Sequence, residues 1–263
     1  ELELLRFIVP ELQEGYGVTQ NKHHIYTVWE HNLFALEYAV KKKWDLRVRL
    51  ASLLHDVAKP RVKRGEGRNA TFYNHELAGA NMAFQILARL KFSKKEIEQI
   101  SRLIRYHMFY YNVDEVTESS VRRLVMKVGQ EHIPDLLKVR MADRIGSGVP
   151  KAEPYKLRHW QYLIEKVAQD PISAKMLKLN GNDVMKILRI PPGPKVGWIL
   201  EILLGEVLDD PQKNKKEWLV EKTQELSKLQ DAKLQNMVQT SKKGVEELET
   251  QRDEATKQKY WVR

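Results

Sequence analysis

The sequence predicts an all-α fold, and two observations carry that reading. Nearly every uninterrupted stretch repeats its apolar residues at helical rather than two-residue spacing, and the 13 glycines and 10 prolines are gathered into a few interruptions. With 263 residues, 42% of them apolar, the chain is long enough for a well-buried helical bundle with a smaller unit behind it.

The elements follow in order. Leu4, Leu5, Ile8, Val9 and Leu12 mark an amphipathic connecting helix within residues 1–20. The pattern is already running at the first residues and residue 1 is not Met, so a longer parent chain is expected. Residues 27–40 set Val28, Trp29, Leu33, Leu36, Ala39 and Val40 on one arc. A second helix is expected over about 45–58, with Leu50, Leu53, Leu54, Val57 and Ala58 inside and Pro60 stopping it. Residues 61–73 are basic and glycine-bearing, hence a loop, and Asn74 is placed as the N-cap of a helix to about Leu90. Ser93 and Glu96 have capping-box spacing and open a helix carrying Ile97, Ile100, Leu103, Ile104 and Met108. Two more helices are expected near 118–128 and 132–145.

Glycines, prolines and a serine interrupt the pattern at 146–154, which places a boundary there and divides residues 21–150 from 151–230. Beyond it come a helix over 154–168, a short helix after Leu179, a Pro-Pro-Gly-Pro turn at 191–194 and a helix over 195–208. Residues 231–263 hold 13 charged side chains and read as an exposed, charged helical tail that frays toward its end.

Composition removes whole classes of function. No stretch approaches the roughly 18 apolar residues of a membrane span, and the N-terminus lacks a secretory layout, so a cytoplasmic protein without membrane contact is expected. The chain has no cysteine, which excludes disulfides, thiolate zinc sites and cysteine nucleophiles and leaves His, Asp and Glu as metal ligands. The net charge of +10 points to an anionic partner such as RNA, although lysine-rich solvated faces are common.

The chemistry centres on His55-Asp56. As a dipeptide it is expected by chance about a third of a time in a chain of this make-up, so its setting matters more than its presence. On a helical wheel Ser52, His55, Asp56 and Lys59 share the side opposite the apolar arc, either as an ordinary polar face or as a reactive patch. His31 and Asp143 sit at the edges of the apolar arcs of their helices, where side chains point along seams. Together His31, His55, Asp56 and Asp143 offer two imidazoles and two carboxylates, a set suited to Mn, Fe, Co, Ni or Mg. His75, in the first turn of its helix, is kept neutral by the dipole there. His107 lies within an apolar arc, as a buried core histidine or a further ligand. If both converge, the site holds two metals or orients a phosphate. His23, His24, His132 and His159 read as surface or RNA-facing residues.

Four motifs occur in order: the run from Asn21 to His31, Leu53-Leu-His-Asp-Val-Ala-Lys-Pro60, Phe72-Tyr-Asn-His-Glu-Leu-Ala-Gly-Ala80, and Ala142-Asp-Arg144. Over about residues 1–230 the chain resembles the HD phosphohydrolase domain, and more narrowly the HD domain and helical body behind the polymerase head of bacterial tRNA nucleotidyltransferases and poly(A) polymerase relatives. The resemblance implies a divalent metal, one or two per chain, held by His31, His55, Asp56 and Asp143, with Lys59, His75 and His107 in catalytic roles. It also implies that nucleotide addition belongs to an upstream head with an Asp-x-Asp pair, which occurs nowhere in these residues.

The segment 179–197 resembles the family's body, and its Pro-Gly-Pro-Lys turn is similar to a helix-hairpin-helix hairpin, which would put Lys195 and exposed backbone N–H groups against phosphate. Arg61, Lys63, Arg64 and Arg68 are placed to guide an RNA end toward the metal; a solvated basic loop is the alternative. The expected function is metal-dependent hydrolysis of phosphate esters on RNA ends or nucleotides, with tRNA as partner. The rivals are a non-catalytic tRNA-binding scaffold and a free-standing HD hydrolase of nucleotides.

Overall fold

The computed structural model describes residues 4–21, 25–113, 115–168 and 173–262, with the Arg68 side chain excepted. The histidines at 23 and 24, read above as surface or RNA-facing, lie outside the described residues. The architecture is all-α: α1 (Leu5–Ile8), α2 (Pro10–Gln13), α3 (Val28–Lys41), α4 (Leu46–Leu54), α5 (Lys59–Val62), α6 (His75–Arg89), α7 (Lys94–Tyr106), α8 (Glu118–Val128), α9 (Ile133–Gly146), α10 (Tyr155–Ala168), α11 (Gly181–Leu188), α12 (Pro194–Asp209), α13 (Lys216–Ser227) and α14 (Asp231–Lys259). The described residues contain no strand, only an isolated bridge between Arg64 and Thr71. Among them no helix is long and apolar enough to cross a membrane.

The chain forms two compact units, Glu1–Ile164 and Glu165–Arg263. The division falls later than the 146–154 stretch, because the first half of α10 packs into the first unit: Leu157 and Trp160 are buried, and Trp160 stacks on Phe109 at 4.2 Å.

In the first unit α3, α4, α7 and α9 pack on one another and α6 packs on α7. Thr27 and Ser93 each form a complete capping box, which fixes where α3 and α7 begin. Small residues let the helices approach closely. A Cβ on Gly146 would lie 2.6 Å from the His31 carbonyl oxygen, and one on Gly79 would lie 3.2 Å from the His55 carbonyl oxygen. These two contacts hold α9 against α3, and α6 against the end of α4, where the site residues sit.

Three local expectations are corrected. The second helix ends at Leu54 rather than near 58, because Pro60 cannot tolerate a helical carbonyl at residue 56. The chain passes through i→i−3 turns, Val57 N–H to Leu54 O and Lys59 N–H to Asp56 O, and Pro60 starts α5 in the first turn, where its missing N–H needs no partner. Asn74 does precede α6, but in the left-handed region at φ 60° and without a side-chain cap.

The third correction concerns the tail. In the second unit α12 lies against α13 and α14, over a core that includes Leu179, Ile199, Leu203, Leu219, Leu234 and Val238. The 29-residue α14 therefore anchors its start in that core. Its end does not fray: Lys259 Nζ and Tyr260 Oη both donate to Glu165 Oε2, at 2.6 and 2.7 Å, and Val262 is buried.

A candidate metal centre in the first unit

The polar side of the α4 segment does not face water. Ser52, His55, Asp56 and Lys59 are all buried, with His55 at 0% and Asp56 at 1% exposure, and His31, His75, His107 and Asp143 are buried with them. Six elements meet here: α3 brings His31, the turn after α4 brings His55 and Asp56, α5 Lys59, α6 His75, the end of α7 His107, and α9 Asp143.

Asp56 stands at the middle, and its two oxygens face different partners. Oδ2 lies 3.0 Å from His31 Nε2 and 3.3 Å from His55 Nε2, while Oδ1 lies 3.3 Å from His75 Nε2 and 3.7 Å from His107 Nε2. Asp143 Oδ1 approaches the first pair, at 3.5 Å from His31 and 3.7 Å from His55. The donor atoms of His31, His55 and Asp56 lie within 4.8 Å of one another, as do those of Asp56, His75 and His107.

Backbone carbonyls set the orientation of three rings. Nδ1–H of His55, His75 and His107 donates to the carbonyl three residues earlier, Ser52, Phe72 and Ile104, at 2.8, 2.7 and 2.8 Å. Each anchored ring thus directs the other nitrogen, Nε2, toward Asp56. His31 Nε2 and His55 Nε2 are only 2.8 Å apart. Two neutral rings cannot both present lone pairs at that distance without a proton or a cation between them.

The electrostatics agree with a cation-seeking pocket. Burial alone would raise the carboxyls of Asp56 and Asp143, but the charges of His55 and Lys59 hold Asp56 well below the usual range, and Arg140 and His55 do the same for Asp143. Burial pulls His55 down, yet Asp56 and Asp143 outweigh it and carry the ring up to about 10. His107 falls to about 3 through burial and the neighbouring His55 charge, and burial lowers His31 against the pull of Asp56.

A divalent ion fits these donors. His75 Nε2 and both Asp56 oxygens are buried without a well-formed hydrogen bond, and the Lys59 ammonium, 2.7 Å from Oδ2, reaches only one of the two carboxylate oxygens. Buried acceptors left without donors are costly unless a cation satisfies them. The mixed imidazole and carboxylate set suits Mn, Fe, Co, Ni or Mg.

A cleft of about 800 Å³ opens onto one side of this cluster, lined by Asp56, His75, His107 and Asp143 together with Lys59, Arg140, Arg144 and Tyr111. His31 and His55 form its closed back. Sequence reading missed Arg140, which binds Asp143 Oδ2 at 2.5 Å, and Gln20, whose Oε1 accepts from Lys59 Nζ at 2.7 Å. An arginine three residues before a helical Asp was the available sign of the first; Gln20 precedes the helix and carries no periodic signal.

The basic residues expected to face RNA are largely engaged elsewhere. Arg61 makes a two-pronged pair with Glu14 at 2.7 and 2.6 Å, and Lys63 contacts Glu66 at 2.9 Å. Arg64 is exposed, with its backbone bridged to Thr71. The Arg68 side chain lies outside those described. Lys195, in the second unit, donates to the Ser227 carbonyl at 3.1 Å and lies 3.6 Å from Asp231. His132, 3.3 Å from Glu131, and His159, between the rings of Tyr155 and Tyr162, are half-buried rather than open surface residues.

The sequence that builds this cluster is similar to those of known proteins. A family model described as tRNA nucleotidyltransferase domain 2 matches residues 70–223. The A-adding tRNA nucleotidyltransferase of Deinococcus radiodurans is 34% identical over 218 residues, covering 78% of this chain and 49% of that protein. The CC-adding tRNA nucleotidyltransferase of Thermus thermophilus is 34% identical over 210 residues, covering 76% and 45%. The multifunctional CCA protein of Neisseria meningitidis serogroup B is 27% identical over 176 residues, covering 64% and 42%. The chain belongs to the tRNA nucleotidyltransferase family. It spans about half the length of the curated relatives it matches.

Proposed function

We propose that the first unit is a metal-dependent phosphohydrolase acting on phosphate mono- or diesters at RNA ends or in nucleotides, within a protein whose partner is tRNA. The observation that carries this reading is the division of Asp56 between two donor sets, His31–His55 on one oxygen and His75–His107 on the other, with the second set open to the cleft. His31, His55, Asp56 and Asp143 hold one divalent ion, and His75 and His107 hold a second or orient the phosphate. A bound ion supplies Lewis acidity and an acidified water at neutral pH. Lys59, paired with Asp56 and steadied by Gln20, fixes that carboxylate and places its ammonium on the cleft wall. His107, kept neutral by burial, remains a donor rather than a repelling cation.

The rival reading, a tRNA-binding portion whose cluster serves structure alone, draws on relatives named for nucleotide addition to tRNA. Hydrolysis of bis(p-nitrophenyl) phosphate and of 2′,3′-cyclic AMP, with Ni, Mn or Co added, separates the two. The phosphohydrolase reading expects turnover that Asp56→Ala abolishes. Wild-type turnover in Asp56→Ala, or none in the metal-loaded wild type, would refute it.

A further inference from the structure

Three cations line the cleft beside the candidate metal centre: Lys59, Arg140 and Arg144. Two are already neutralised, Lys59 by Asp56 at 2.7 Å and Arg140 by Asp143. Arg144 is different. Among the described residues no carboxylate pairs with it, and it is held by two neutral acceptors, Nε donating to the Lys151 carbonyl at 3.2 Å and Nη1 to Tyr111 Oη at 3.0 Å. Tyr111 also carries the Arg140 guanidinium over its ring at 5.0 Å, so a single side chain fixes both arginines, which lie one helical turn apart on α9. Arg144 is therefore a half-buried, pre-positioned cation that no carboxylate among the described residues pairs with, directly following Asp143 and facing the same cleft.

Fixed guanidinium groups without a carboxylate suit phosphate, because the remaining N–H groups present a ready fork and little rotamer freedom is lost on binding. We propose that Arg144, held by Tyr111 and the Lys151 carbonyl, is an anion subsite for a second phosphate of the substrate, so that the cleft favours nucleotides carrying two phosphates over those carrying one. The proposal rests on the reading of the His–Asp cluster as the seat of the first phosphate.

Calorimetric titration of the full chain in Mn²⁺ with adenosine 5′-monophosphate and with adenosine 3′,5′-bisphosphate tests it without requiring turnover. The bisphosphate should bind about tenfold more tightly or better, the worth of a charged hydrogen-bonded contact. In Arg144→Gln the ratio of the two affinities should fall to near one, and Arg144→Lys, a point charge without the fork, should keep part of it. A purely structural role would weaken both nucleotides alike and leave the ratio intact. Equal affinities in the wild type, no binding of either nucleotide, or an undiminished ratio in Arg144→Gln would overturn the subsite. A ratio that holds while no phosphate ester is hydrolysed would remove the hydrolytic reading alone.

Discussion

Asp56 is the residue on which the site turns, since each oxygen faces its own pair of imidazoles. The expected consequence is selective loss. Measured by elemental analysis after dialysis against Mn²⁺ or Ni²⁺, His31→Ala should lose one ion, His75→Ala the other, and Asp56→Ala both. Equal losses in all three would mean a single shared site. Arg140 acts on Asp143 through its second oxygen, leaving Oδ1 toward His31 and His55. Arg140→Met should accordingly weaken metal binding by about 10–100-fold, the usual cost of removing a group that orients a ligand. A metal titration showing unchanged affinity would dismiss that role.

At the scale of elements, backbone approach decides where the ligands stand. Gly146→Ala drives a methyl group against the His31 carbonyl at 2.6 Å, and backbone cannot yield as a side-chain tip can, so a loss of about 1–3 kcal/mol in urea unfolding and weaker metal binding are expected. Gly244 in α14 is the contrast: nothing lies within 4 Å of an added Cβ, and Gly244→Ala should stabilise by about 0.5–1 kcal/mol. Opposite signs for the two would confirm that close approach, rather than propensity, governs position 146. The same distinction explains what could be read from sequence. The Ser93–Glu96 capping box and the arc Ile97, Ile100, Leu103, Ile104 are local patterns, and they correspond to observed elements. The end of α4 depends on a clash between Pro60 and a carbonyl four residues earlier, which a helical wheel does not represent. His55 and Asp56 looked like the polar face of a helix, yet they lie in a turn that enters the bundle interior. Their burial comes from α3, α6, α7 and α9, all distant in sequence, so chemistry was legible in residue types while enclosure was not.

For the whole molecule, the relatives named for A addition and for CC addition are each 34% identical, so similarity does not select a nucleotide. Charge offers a more direct test of the RNA partner. The net +10 is large, but Arg61, Lys63 and Lys195 already serve Glu14, Glu66 and the Ser227 carbonyl. A cation must give up such a partner before it can neutralise a phosphate, whereas the exposed Arg64 side chain is paired with no carboxylate among the described residues. Binding of tRNA should fall steeply with salt, because each phosphate neutralised releases condensed counterions. In filter-binding series between low and physiological salt, Arg64→Ala should reduce the slope of log K against log salt by about 0.7–0.9, one phosphate contact. Lys195→Ala should change the slope by much less, and instead lower the stability of the second unit, where its ammonium ties α12 to the end of α13. Both variants should act alike on unrelated RNA sequences, since phosphate contacts carry no base information. A slope that shifts in Lys195→Ala and not in Arg64→Ala would move the RNA surface to the hairpin before α12, and a slope near zero in the wild type would remove phosphate binding as the use of the chain's positive charge.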